Sequence, residues 1–155
     1  MKNNDLILVQ EADFDINKHY QTLLHINPSS TGAAVLFVGL VRDLDGSKVE
    51  AMELEHYPGM TEKCLQEIVH KTHDRWPIEG IHVIHRVGRL QSHEQIVLVG
   101  VASRHRSDAF SACEFVMDYL KQEAPFWKAE ITEHGKQWVD AKEFDKQANN
   151  RWQPN

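Results

Sequence analysis

The sequence predicts an α+β fold built mainly on antiparallel sheet. Apolar stretches of strand character are interspersed with segments whose apolar residues recur at helical spacing. Their order, β-α-β-β-α-β-β-α-β, lacks the regular alternation that a parallel sheet requires. The chain has 155 residues, 41% of them hydrophobic and 26% charged, which suits one domain or two tightly joined subdomains. No repeat, low-complexity tract or linker divides it.

Residues 6–9 predict a short strand, and Asp15 predicts the cap of a helix carrying Ile16, Tyr20, Leu23 and Leu24. Residues 27–32 are a loop by composition. The nearly continuous apolar run 33–41 suits a strand buried on both faces. Turn-forming residues follow Arg42, and residues 49–57 alternate Ala51, Glu53 and Glu55 with Met52, Leu54 and His56. Together the two runs predict a hairpin with a mobile tip. Pro58-Gly59 ends the second strand, and a helix over 61–75 has Cys64, Leu65, Ile68, Val69 and Thr72 on its buried side. Trp76-Pro77 stops that helix. Residues 81–87 and 95–103 are two further strands. A central helix follows, then a strand over 126–133, a turn at Gly135, and Trp138-Val139. Residues 141–150 suggest a short final helix, with a tail that frays after about residue 150.

The formal charge is −6, from 17 basic and 23 acidic residues, which argues against a general nucleic-acid surface. No stretch is long and apolar enough to span a membrane, and the N-terminal run is too short for a signal peptide. These features predict a cytoplasmic protein. Cys64 and Cys113, the two cysteines, occupy apolar helical positions without the spacing of a disulfide or metal pair. Ten histidines invite a zinc reading, but His82 and His85 point to opposite faces of one strand. His70 and His73 share a helix side with nothing to complete a site. There is no nucleophile elbow, Walker loop or dinucleotide fingerprint.

The most informative stretch is residues 103–130, SRHRSDAFSACEFVMDYLKQEAPFWKAE. It predicts a strand end bearing Arg104, His105 and Arg106, then a helix capped by Ser107 with Phe110, Cys113, Met117 and Leu120 buried. At about 100° per residue, Lys121 lies at the edge of that apolar stripe. Burying an unpaired ammonium is costly, so most such lysines reach out to water. Pro125 stops the helix, and Phe126, Trp127 and Lys128 begin the return.

The string as a whole is more specific than its parts. Ser103, His105, Arg106, Ala109 and Phe110, followed by Asp118, Leu120, Lys121 and Ala124 through Lys128, resemble the molybdopterin synthase large, catalytic subunit family. The likeness extends over residues 32–139. It implies an α/β hammerhead-type subdomain joined to a second α+β subdomain, the whole chain forming one large-subunit domain. It implies a sulfurtransferase that converts a cyclic pyranopterin monophosphate into the dithiolene-bearing molybdopterin, without a cofactor of its own. A small ubiquitin-like partner would supply sulfur as a C-terminal Gly-Gly thiocarboxylate. Two donor tails would be used in succession, around a central homodimer of this chain within a heterotetramer.

By the same resemblance, Lys121 and Lys128 are the catalytic amines. Arg42, His105 and Arg106 match substrate-binding positions, as do Leu40, Val41, Ala129 and Glu130. A phosphate and developing oxyanions call for guanidinium and ammonium groups in a partly dry pocket, with Arg106 suited to a bidentate clamp. An amine near neutrality exchanges protons or attacks as a nucleophile, the role expected of Lys121. Lys128 would stabilise negative charge on the thiocarboxylate or the attacked carbon. Four positions depart from the family pattern. Leu40 and Ala129 stand where basic residues are common, His93 where glycine is common, and Lys142 where arginine occurs. A competing class is a binding module that holds a pterin phosphate or a partner tail without turnover; retention of both lysines argues against it.

Overall fold

A computed structural model describes residues 4–42, 50–139 and 152. The described chain runs β1 (Leu6–Gln10), α1 (Ile16–Leu24), β2 (Ala33–Leu40), β3 (Ala51–His56), α2 (Met60–Arg75), β4 (Ile78–Arg86), β5 (Gly88–Gln91), β6 (Gln95–Ser103), α3 (Arg106–Glu123), β7 (Phe126–Thr132) and β8 (Gly135–Val139). The α+β class and the order of the expected elements hold. β5 is additional, and Trp138-Val139 belongs to the five-residue strand β8. The expected helix over 141–150 and Lys142 lie outside the described residues.

There are two four-stranded sheets, ordered β1-β4-β6-β2 and β5-β3-β7-β8. Every pairing is antiparallel except β1 with β4. The expected hairpin between the second and third strands does not form: β2 pairs with β6, while β3 pairs with β5 and β7. The reason lies in how each strand is covered. β3 alternates buried Met52 and Leu54 with the more exposed Glu53 and Glu55, which suits a sheet packed on one face. β2 is apolar on both sides and joins the sheet that carries helices. It takes the edge position there, so Phe37 and Leu40 remain 40% and 52% exposed rather than buried as expected.

Side-chain alternation divides the first sheet cleanly. Val83, Val97, Val99 and Val101 pack with Leu65, Ile68 and Val69 of α2 and with Ala109, Cys113, Val116 and Leu120 of α3. On the other face, Ile84 and Leu98 pack with Phe14 beneath α1. Gly100 lies under α1 as well; a Cβ there would stand 2.7 Å from Leu23 Cδ1, so the absence of a side chain lets the helix seat. Asp15 caps α1 as predicted, its carboxylate accepting the backbone N–H groups of Asn17 and Lys18.

The central helix differs from expectation in two respects. It is capped by His105, not Ser107, because the Ser103 hydroxyl bonds the His105 carbonyl at 2.6 Å and ends the strand there. Arg106 is therefore the first helical residue. The buried stripe runs through Ala109, Ala112, Cys113, Val116 and Leu120, and Phe110 is 62% exposed. The two alanines let the helix approach the valine strands closely, which rotates the larger Phe110 outward. Trp152, in the tail expected to fray, packs edge-on against Trp76 and Phe115 and donates its indole N–H to Asp118. Among the described residues, no helix is long and apolar enough to cross a membrane.

His19 of α1 meets His82 of β4, Nδ1 to Nδ1 at 3.0 Å, so one ring donates and the other accepts. Burial, reinforced by His19, pushes the His82 imidazole down to about 4. The unfolded chain then takes up a proton before the native state does, and stability is lost as pH falls from about 6.5 toward 4. The loss reaches up to about 1.4 kcal/mol per pH unit for one such histidine. Urea unfolding at a series of pH values should show this decline, and His82→Phe should make it shallower.

Candidate active site

The corner between α3 and β7 holds the most chemistry. Lys121 stands exposed in the last turn of α3, and Ala124 closes the helix with its N–H on the Leu120 carbonyl. Pro125 has no N–H to continue the helix. Phe126 turns back at once, its N–H bonding the Ala124 carbonyl at 2.9 Å, and opens β7. Its ring lies flat on that of His85, with centroids 3.8 Å apart and planes 16° from parallel. His85 Nδ1–H donates to the Arg86 carbonyl at 2.8 Å. Burial pushes the His85 imidazole down to about 4; the Arg86 bond opposes this, while the charges of Lys121 and His56 add to it. The Lys121 ammonium is thus within electrostatic reach of the ring that supports β7.

Along β7, Phe126, Lys128 and Glu130 share one face, opposite His56, Leu54 and Met52 of β3. Met52 and Leu54 pack with Val41, Val87 and Leu90, and Phe126 leans on the same cluster. Lys128, half-buried, therefore leaves its strand on the side where Val41 is seated, and Arg42 follows Val41 directly. Val41 is fixed at both ends of its peptide: its N–H donates to the Glu94 carbonyl at 3.0 Å, and its carbonyl accepts the His93 N–H at 2.8 Å. Arg42 itself is exposed.

The nine residues singled out from the sequence thus fall into groups. Lys128 and Glu130 share the β7 face that meets the Val41 cluster, with Glu130 itself buried; Arg42 follows Val41 in the chain, and the Lys121 charge reaches His85 beneath Phe126. Val41 has a fully buried side chain and a committed N–H, so its contribution is to seat Arg42. Leu40 is exposed just beyond a bulge at Gly39/Leu40. Ala129 points the other way, opposite Glu53 and Trp138, with its methyl group fully buried; it has no side-chain surface for a ligand. His105 and Arg106 are exposed at the far end of α3. At about 1.5 Å per residue, the helix holds the backbones of Arg106 and Lys121 about 22 Å apart. One copy of the fold therefore holds Arg106 well apart from Lys121 along the helix.

Two buried residues at the corner escaped the sequence reading. In the sequence His85 reads only as a candidate metal ligand, and Thr61 only as the first residue of a helix. Both are recognisable once Pro125 and Phe126 are seen to need outside support. Among the described residues, no three His, Cys, Asp or Glu side chains group as metal ligands. Cys113 is buried, its thiol pointing at the Val99 carbonyl and pushed up to about 12 by burial, so it is no thiolate nucleophile.

Comparison with known proteins identifies the family. Residues 9–123 match the family model described as MoaE protein. A molybdopterin synthase catalytic subunit from Vibrio cholerae is 51% identical, covering 95% of this chain and 97% of its own. One from Ralstonia nicotianae is 56% identical over 94% of this chain and 83% of its own. The chain belongs to the MoaE family of molybdopterin synthase catalytic subunits. Family membership makes it an enzyme, the sulfurtransferase subunit of molybdenum cofactor biosynthesis. In structure it superposes on the molybdopterin biosynthesis MoaE protein of Burkholderia ambifaria with a TM-score of 0.82, at 53% identity, over 96% of this chain and 97% of the other.

One departure from the MoaE pattern now has a geometry. His93, where glycine is common, has φ +71°, the left-handed region that glycine enters without penalty. The turn keeps its form because Val41 and Gln91 bind it on both sides: His93 N–H meets the Val41 carbonyl, and Glu94 N–H the Gln91 carbonyl. A histidine there stores on the order of 1 kcal/mol of backbone strain. His93→Gly should therefore raise stability slightly, by up to about 1 kcal/mol, read as a higher urea midpoint with an unchanged slope.

Proposed function

We propose that this chain inserts both dithiolene sulfurs into a cyclic pyranopterin monophosphate, with Lys121 and Lys128 as its catalytic amines. Lys121 exchanges protons with the reacting pterin or bonds to it transiently, and Lys128 stabilises negative charge on the thiocarboxylate and on the attacked carbon. Arg42 and Glu130 line the same side, Arg42 toward the anionic substrate. The reading is supported most directly by Lys121 and Lys128 flanking one tight corner, with the Lys121 charge felt by the ring beneath Phe126.

The sulfur comes from a small ubiquitin-like partner whose C-terminal Gly-Gly thiocarboxylate reaches this corner, since Cys113 has no thiolate to offer. Two donor tails serve each product in turn, within a cytoplasmic heterotetramer centred on two copies of this chain. Each copy forms one large-subunit domain. The distance along α3 supports a site shared between the copies: one supplies Lys121, Lys128 and Arg42, and the other supplies His105 and Arg106 for the phosphate. Exposed Phe37 on the β2 edge and exposed Phe110, one turn before Cys113, give the second copy an apolar surface to cover. That covering would also dry the surroundings of Lys121, which one copy leaves exposed.

Lys121→Ala should abolish dithiolene formation in a single-turnover assay with thiocarboxylated donor, while the protein stays folded. A product-free but substrate-holding wild type would instead establish a binding module. Lys121→Ala mixed and refolded with Arg106→Ala should regain activity that neither has alone, because mixed dimers contain one intact site. Absence of complementation between soluble, dimeric variants would rule out the shared site.

A further inference from the structure

We infer that Thr61 and His85 clamp the Pro125–Phe126 corner from two sides and act as positioning residues that set the spacing of Lys121 and Lys128. The inference rests on the lysine roles proposed above.

The corner has little internal support. Pro125 carries no N–H, and the backbone bond that tightens the turn is the one from Phe126 N–H to the Ala124 carbonyl. Its geometry is imposed by neighbours. From the N-terminus of α2, the fully buried Thr61 hydroxyl donates to the Pro125 carbonyl at 2.9 Å. The same oxygen accepts the Tyr57 N–H at 2.9 Å, which aims its one proton at Pro125. From β4, the His85 ring lies on the Phe126 ring face to face. The Nδ1–H bond to the Arg86 carbonyl fixes that ring's plane and tautomer. Burial keeps His85 uncharged at neutral pH, so the ring itself adds no positive charge beside Lys121.

The two contacts come from separate elements, α2 and β4, and grip consecutive residues. Lys121 stands a helical turn before the gripped pair, and Lys128 leaves β7 two residues after it. A swing of the corner would change the separation of the amines. Displacements near 1 Å at a reacting group cost on the order of a hundredfold in rate. A residue with only a packing role would alter melting temperature and leave the turnover of folded enzyme unchanged.

The test uses the full chain assembled with its thiocarboxylated sulfur donor, assayed for dithiolene product at a temperature where circular dichroism shows every variant folded. Thr61→Val keeps the shape and removes the hydroxyl. It should lower kcat by roughly tenfold or more, with KM for the donor changed by less than about twofold. Thr61→Ser should restore kcat. His85→Leu should lower kcat more than His85→Phe, which keeps a flat ring against Phe126. Should His85→Leu fail to fold, the contrast of Thr61→Val with Thr61→Ser decides the matter. Wild-type kcat in folded Thr61→Val, beside an inactive Lys121→Ala enzyme, overturns the clamp and leaves the lysine roles standing. An active Lys121→Ala enzyme overturns both.

Discussion

The second sheet depends on a surface it cannot cover alone. Helices α1, α2 and α3 pack on the first sheet, and the buried side of β3, β5 and β7 is sealed by Val41 and Val87. Both of these residues leave strands of the first sheet, Val41 after β2 and Val87 after β4. Their contact with Met52, Leu54 and Leu90 ties the sheets together by simple exclusion of water. The positions of Arg42 and Lys128 follow from it. Arg42 is placed by the peptide of Val41, and Lys128 by the strand that carries Phe126 onto the cluster.

An acidic protein that handles an anionic substrate must sort its charges in space. Along α3, Asp108, Glu114, Asp118 and Glu123 alternate with the basic residues, and the sequence alone shows no basic patch. Folding separates them in part. Asp118 is drawn to the Trp152 indole, and Glu123 pairs with Lys71 of α2 at 3.6 Å. Glu53 holds Lys136 at 2.8 Å on the outer side of the second sheet. These pairings lie away from the face of β7 that carries Lys128. The corner thus carries Lys121, Lys128 and Arg42 alongside Glu130 despite the overall charge.

Much of the fold was legible because hydrophobic period and turn chemistry agree locally. The Asp15 cap, the Trp76-Pro77 stop and the Pro125 break all mark real boundaries. Strand partnership was not legible, because the apolar run of β2 and the alternation of β3 specify faces and not neighbours. The rotation of α3 was missed because hydrophobicity ranked Phe110 above Ala109 and Ala112, whereas close packing favoured the small residues. In the proposed site, the two lysines and Arg42 are candidates that motif positions alone suggest. The distance to Arg106 was hidden, since nearness in sequence on one long helix means separation along its axis. His85 and Thr61 were missed for a different reason: a buried polar side chain has meaning only through partners distant in the chain.

The burial of Cys113 bears on how reduced sulfur can be handled safely. A reactive thiolate beside a thiocarboxylate donor would attack its carbonyl carbon, forming a thioester and losing the sulfur as hydrosulfide. With its thiol covered and protonated against the Val99 carbonyl, Cys113 offers no such diversion and little target for peroxide. This helix can lie under a sulfur-transfer site and remain chemically silent.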